Sequence, residues 1–140
     1  MLYVDTSVLV AALTREPRTP EIQDWLAAQP AGQLAVSDWV VTEFSAALSV
    51  KLRLGHLTPL DRAEVLAVFA ELVEGSFAVL AVSRLDFRTA ARFADQHATG
   101  LRAGDALHLA VARNHGARIR ALDRRLVTAA EALGVSAVLL

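Results

Sequence analysis

Four acidic residues stand in apolar company that a solvated charge does not need: Asp5, Glu43, Asp105 and Asp123. Asp5 interrupts Leu2-Tyr3-Val4-Asp5-Thr6-Ser7-Val8-Leu9-Val10, at the joint between a short apolar run and an apolar helical one. A carboxylate there loses water on both sides, a cost that backbone donors, a partner or a metal ion must offset. Glu43 lies on the helical line Trp39, Glu43, Ala46, Val50, Leu54, one acid within a face expected to be buried. Asp105 shares a line with Leu109 and Ala112 and is expected to point inward, and Asp123 follows the expected strand at 119–122.

If these acids converge, mutual repulsion dominates the site and a divalent cation relieves it. Oxygen donors, with no cysteine and no histidine pair at ligand spacing, select a hard ion, Mg²⁺ or Mn²⁺. The chemistry that follows is metal-activated water attacking a phosphodiester, with the ion neutralising the oxygen that leaves. Plainer accounts stand beside this one. Asp5, Asp105 and Asp123 fall at or near helix starts, where Asp caps the helix and the helix dipole favours a negative charge. Capping alone accounts for any one of them. Glu43 is a full turn inside its helix, so capping does not explain it; the competing account is a pair with an arginine.

The elements that must position these side chains alternate regularly. Strands are expected over 2–4, 34–37, 77–82, 119–122 and 135–139, each short and mostly apolar rather than alternating in polarity. Helices are expected over 6–13, 19–28, 39–54, 58–74, 86–96, 104–115 and 124–133, with Thr19 and Thr58 as caps ahead of Pro20 and Pro59. Gly55, Gly75, Gly116 and Gly134 are expected to end four of them. On the helix at 86–96, Phe87, Ala90, Ala91 and Ala94 form the apolar side, while Arg84, Arg88 and Arg92 read as a solvated stripe. Short strands that are apolar rather than alternating, separated by helices, imply a parallel sheet covered on both faces, a three-layer α/β sandwich. In such sheets the loops leaving the strands' carboxyl ends meet at a crevice where strand order reverses. Asp5 and Asp123 face each other there if the first and fourth strands are neighbours.

Composition narrows the field further. A chain of 140 residues reads as a single domain over 1–140, with no linker, repeat or low-complexity tract. Its 54% hydrophobic and 21% charged residues suit a filled core, and the absence of cysteine excludes disulfides, thiolate nucleophiles and thiolate zinc sites. A net charge of −1 does not favour nucleic acid but leaves room for a basic rim, and only Lys51 among the fourteen basic residues is not arginine. The longest uncharged run, 25–37, is too short to span a membrane, and Asp5 falls where a secretory leader needs an apolar core. The expected location is the cytoplasm. No phosphate-cradling glycine loop and no G-x-S-x-G nucleophile elbow is present. His108, one turn after Asp105, reads as a partly buried histidine near the site, and Thr6 and Ser7 as caps or as partners of Asp5.

At these residues the chain resembles the PIN domain family, and within it the VapC-type toxins of toxin–antitoxin pairs. The matching segments are Tyr3-Val4-Asp5-Thr6-Ser7-Val8-Leu9, Val41-Thr42-Glu43-Phe44, Gly104-Asp105-Ala106-Leu107-His108-Leu109-Ala110 and Leu122-Asp123-Arg124-Arg125-Leu126. The resemblance implies a five-stranded parallel sheet and Mg²⁺ or Mn²⁺ held by Asp5, Glu43, Asp105 and Asp123. It also implies cleavage of single-stranded RNA, a homodimer, and inhibition by a small antitoxin protein. The chain departs from the family pattern at Ala121, where Thr or Ser often supports the last acid.

Two other functions compete with a metal-dependent endoribonuclease. An aspartate-based phosphatase would use Asp5 as nucleophile but needs a second acid two residues on, where Ser7 stands. A catalytically silent PIN-fold domain that only binds partners is disfavoured by the presence of all four acids.

Overall fold

The apolar runs form five short strands and the periodic segments seven α-helices in the computed structural model, which describes residues 1–140. In chain order they are β1 (Leu2–Val4), α1 (Thr6–Leu13), α2 (Thr19–Ala27), β2 (Leu34–Ser37), α3 (Asp38–Arg53), α4 (Pro59–Ser76) and β3 (Ala78–Leu80). Then follow α5 (Arg84–Ala94), α6 (Ala103–Asn114), β4 (Arg118–Ala121), α7 (Arg124–Ala132) and β5 (Ala137–Leu139), with one 3₁₀ turn at His97–Thr99. All four strand pairings are parallel, in the order β3-β2-β1-β4-β5. The chain runs outward from β1 through β2 to β3, then returns across the sheet to β4 and continues to β5. The reversal falls between β1 and β4, paired as Leu2 with Arg118, Tyr3 with Ile119 and Val4 with Arg120. Asp5 and Asp123 therefore leave neighbouring strands, as the sequence required for their meeting.

Parallel strands need covering on both faces, and the helices provide it over the central strands, while Val79 and Val138 on the edge strands β3 and β5 remain exposed. Tyr3, Val4, Ala35, Val36, Ile119 and Ala121 are wholly buried in the sheet, and Val8, Leu9, Val40, Phe44, Leu48, Leu109 and Val111 close over it from the helices. Phe44 of α3 stacks on Phe69 of α4, with ring centroids 4.0 Å apart and planes at 15°. No helix is long and apolar enough to cross a membrane.

Several boundaries and faces differ from expectation. The third strand is only Ala78–Leu80, because α4 runs through Gly75 to Ser76 and Phe77 is its carboxyl cap. The last strand starts at Ala137 rather than at residue 135. Thr19 does not cap α2; Arg18 holds that position, and the Thr19 hydroxyl bridges to the carbonyls of Ala11 and Thr14, tying α2 to α1. Helix α5 begins earlier, at Arg84, because Ser83 and Asp86 form a reciprocal capping box. Its buried face is Asp86, Thr89, Ala90 and Phe93, leaving Phe87, Ala91 and Ala94 exposed along a shallow apolar groove shared with Trp39 and α6. Asp86 tolerates burial because Ser83 and Asn114 donate to it.

The line through Glu43 is also not the buried face of α3. That face is Val40, Phe44 and Leu48, whereas Ala46, Val50 and Leu54 are exposed and Glu43 is half-buried at the edge. A helix with two apolar lines one residue apart buries whichever meets a neighbour, and Phe44 meets Phe69.

Candidate active site

Each acid reaches the carboxyl end of the sheet from its own segment. Asp5, directly after β1, caps α1: its Oδ2 accepts from the Ser7 N–H at 2.9 Å and from the Ser7 hydroxyl. Ser7 Oγ in turn accepts the N–H of Leu122 at 3.0 Å, so one side chain joins the loop after β1 to the loop after β4. Asp123, in that second loop, caps α7 by accepting from the N–H groups of Arg125 and Leu126. The capping account is thus correct for Asp5 and Asp123 without excluding a second role, because each carboxylate has an oxygen left over. Asp105 does not occupy the cap of α6. It lies in the first turn, half-buried, and shares a small recess with Asp123, Arg102 and Arg125.

Glu43 comes from the first turns of α3, which Ser37 caps. Its Oε2 accepts from the Thr6 hydroxyl at 2.7 Å and bonds His108 Nε2 at 2.5 Å. The same imidazole nitrogen lies 3.5 Å from Asp5 Oδ1, so His108 stands between the two carboxylates. On its other side, Glu43 presses against the backbone of Gly104: a Cβ there would stand 2.9 Å from Oε1 and 3.3 Å from Trp39 Cζ2. The Trp39 indole N–H is buried beside it with no hydrogen-bond partner of good geometry. Ala121, where the family often supplies a hydroxyl, is fully buried in β4.

The charges of the site act on one another. Burial, followed by the charge of Asp123 and more weakly of Asp5, holds Asp105 above the usual carboxylate range, with His108 opposing. Burial alone would raise Glu43 too, but the His108 contact and the Thr6 hydroxyl overcome it and hold the group below its ordinary value. His108 is pushed the other way. Burial disfavours its charged form, and the bond to Glu43 and the charges of Asp5, Glu43 and Asp105 more than reverse that, leaving its pKa raised. Burial pushes the Tyr3 phenol well up, so it remains a neutral hydroxyl.

Asp5 and Glu43 are joined through His108, Asp105 and Asp123 share a recess, and Asp105 feels the charges of both Asp123 and Asp5. The donor set is made of oxygens, which suits a hard cation. No three His, Asp or Glu side chains are drawn in to the spacing of a coordination sphere, and Glu43 Oε2 is engaged by protein donors instead. Sequence reasoning underrated His108, which is 1% exposed and central to the site, and missed Tyr3 and Ser37 behind it. It read Thr6 as a cap or a partner of Asp5, whereas its hydroxyl donates to Glu43. The available signal was His108 sitting four residues after Gly104 and three after Asp105, on the inward line of α6.

A PIN domain family model matches residues 2–132, and the chain belongs to that family. Among solved structures, it resembles VapC20 of Mycobacterium tuberculosis, described as a toxin cleaving the sarcin–ricin loop. The identity is 19%, the TM-score 0.74, and 100% of each chain is covered. FitAcB of Neisseria gonorrhoeae aligns at 21% identity and a TM-score of 0.72, over 98% of this chain and 96% of that one. PAE2754 of Pyrobaculum aerophilum shares 26% identity at a TM-score of 0.69, over 97% of this chain and 82% of the other. No curated protein sequence matches.

Proposed function

We propose that this protein is a metal-dependent endoribonuclease and the toxin of a VapBC-type pair, a single nuclease domain over residues 1–140 acting in the cytoplasm. In this reading Asp5, Glu43, Asp105 and Asp123 are the catalytic and metal-binding residues, holding Mg²⁺ with Mn²⁺ as a substitute. The observation that supports it is geometric: Asp5 and Asp123 leave the neighbouring strands β1 and β4, Asp105 shares a recess with Asp123, and His108 links Asp5 to Glu43. A structural acid gains nothing from such crowding, whereas a divalent ion turns it into a binding site.

The bound ion supplies activation of water and neutralisation of charge on the phosphodiester. The remaining work falls to the chain. Ser7 holds Asp5 in place and links it to the loop that carries Asp123. Thr6 and His108 fix one oxygen of Glu43. Arg102 and Arg125, beside Asp105 and Asp123, place positive charge at the rim, where an RNA backbone would enter. The exposed apolar residues Val50, Leu54, Phe87 and Leu85 offer contact surface for a homodimer and for a small antitoxin that covers the acids. The comparison proteins include toxin–antitoxin complexes, which supports a partner of that kind.

Cleavage of defined RNAs by purified protein, with and without a chelator, tests the reading. Mg²⁺ or Mn²⁺ should restore activity after chelation, and Asp5→Asn should abolish it; full activity in that variant removes the central claim. Expression without the antitoxin should arrest growth, whereas Asp5→Asn at the same level should not.

A further inference from the structure

The polar groups behind Glu43 form one continuous run through four elements. Ser37 Oγ, at the end of β2, accepts from the Val40 N–H in the first turn of α3 at 3.4 Å and lies 2.7 Å from the Tyr3 hydroxyl. The Tyr3 hydroxyl lies 2.8 Å from His108 Nδ1, and His108 Nε2 meets Glu43 Oε2. Tyr3, Ser37 and His108 are each no more than 1% exposed. Bulk solvent therefore does not reach these bonds, and the protein groups of the run are one another's partners.

Its two ends set the direction. A backbone N–H only donates, and an ionised carboxylate only accepts. Glu43 therefore takes the Nε2 hydrogen; in a neutral imidazole Nδ1 is then the acceptor of the Tyr3 hydrogen, and the Ser37 hydroxyl, which also accepts from Val40, donates to Tyr3. Every buried atom is then satisfied. With the imidazole protonated, the order reverses at Nδ1 and the Ser37 hydrogen loses its acceptor. In both cases Nε2–H points at Glu43.

We propose that Tyr3 and His108 are positioning residues: the hydrogen-bond run from the start of α3 through Ser37, Tyr3 and His108 returns to α3 at Glu43 and sets the orientation in which that carboxylate meets a divalent cation. The starting Val40 and the terminal Glu43 sit on the same helix one turn apart, so the run closes on itself. Glu43 is held against the motion of β1 and α6 as well as of its own helix. Groups hydrogen-bonded behind metal ligands are worth about 10- to 100-fold in metal affinity. This inference rests on the nuclease reading, because without a cation Glu43 has nothing to be oriented towards.

The test is Mn²⁺ binding by titration calorimetry, with urea unfolding and RNA cleavage on the same samples. Tyr3→Phe keeps the buried ring and removes one hydroxyl. It should weaken Mn²⁺ binding about tenfold in a protein that remains folded, and lower kcat with KM for RNA within about twofold. His108→Leu should weaken binding at least as much, and His108→Gln, whose amide N–H can replace Nε2–H, should recover most of the loss. Wild-type affinity in folded Tyr3→Phe and His108→Leu, with only the urea midpoint lowered, would show a structural role and overturn the inference. A wild-type protein that neither binds Mn²⁺ nor cleaves RNA would instead overturn the nuclease reading, and the inference with it.

Discussion

In the proposed nuclease, Gly104 is the position where a single methyl group should separate activity from stability. It lies in the first turn of α6 and is not among the glycines with left-handed φ, so alanine suits its backbone. On propensity alone, Gly104→Ala stabilises the helix by about 0.5–1 kcal/mol. The added Cβ, however, would stand 2.9 Å from Glu43 Oε1. Ordinary contact lies near 3.4 Å, so the carboxylate must give by about half an ångström. A free glutamate would do so cheaply. Glu43 is not free, because its Oε2 is bonded to Thr6 and His108, and a rigid carboxylate cannot move one oxygen and leave the other.

The expected cost to folding is about 1 kcal/mol of overpacking, largely cancelled by the propensity gain. A misplacement of about 1 Å costs roughly 100-fold in rate, so about half of that should cost on the order of tenfold. Cleavage of a defined RNA at saturating Mn²⁺, with a urea melt on the same preparation, measures both quantities. Undiminished cleavage would refute the claim that Glu43 is clamped. A collapse of the melt would refute the claim that shifts of the carboxylate and, by a few tenths of an ångström, of the Trp39 ring suffice.

Two further predictions concern the frame around the site. Phe44→Ala removes a fully buried ring stacked on Phe69, and should cost about 3–5 kcal/mol, read as a lower urea midpoint with the slope unchanged. A loss below about 1 kcal/mol would mean that α3 and α4 repack around the gap. Asp86 is buried, which works against its charge, but the Ser83 N–H and hydroxyl and the Asn114 amide hold its pKa below the usual aspartate range. A lowered folded-state pKa contributes stability above the unfolded value, near pH 4, and loses it as pH falls through the folded value. Asp86→Asn should therefore be less stable than wild type at neutral pH, with the gap narrowing below about pH 4; a constant gap would show that the charge itself contributes nothing.

Much of the architecture was legible because it rests on interactions within a few residues. Short, mostly apolar runs such as Leu34–Ser37, set between helical segments, read as strands, and Thr58-Pro59 and Asp123 announce helix starts through donors one turn away. Boundaries failed where a local signal had a nonlocal competitor. Gly75 has no left-handed φ and is simply carried through α4, and Thr19 gives up capping α2 to bind carbonyls of the preceding helix and turn.

From its residues alone, the chain specified an α/β sandwich and singled out Asp5, Glu43, Asp105 and Asp123; the first three are buried or half-buried, whereas Asp123 is exposed at the cap of α7, not inward as the sequence suggested. Periodicity and polarity are properties of neighbouring positions, and they survive without coordinates. Only the tertiary structure decided which apolar line of α3 faces inward, since that depends on Phe69 lying opposite Phe44. It also decided that Tyr3 meets His108, 105 positions along the chain, because the return from β3 to β4 packs α6 against β1. A hydrogen bond between residues so far apart leaves no periodic trace, and the company that Glu43 keeps is set by strand order rather than by the sequence around it.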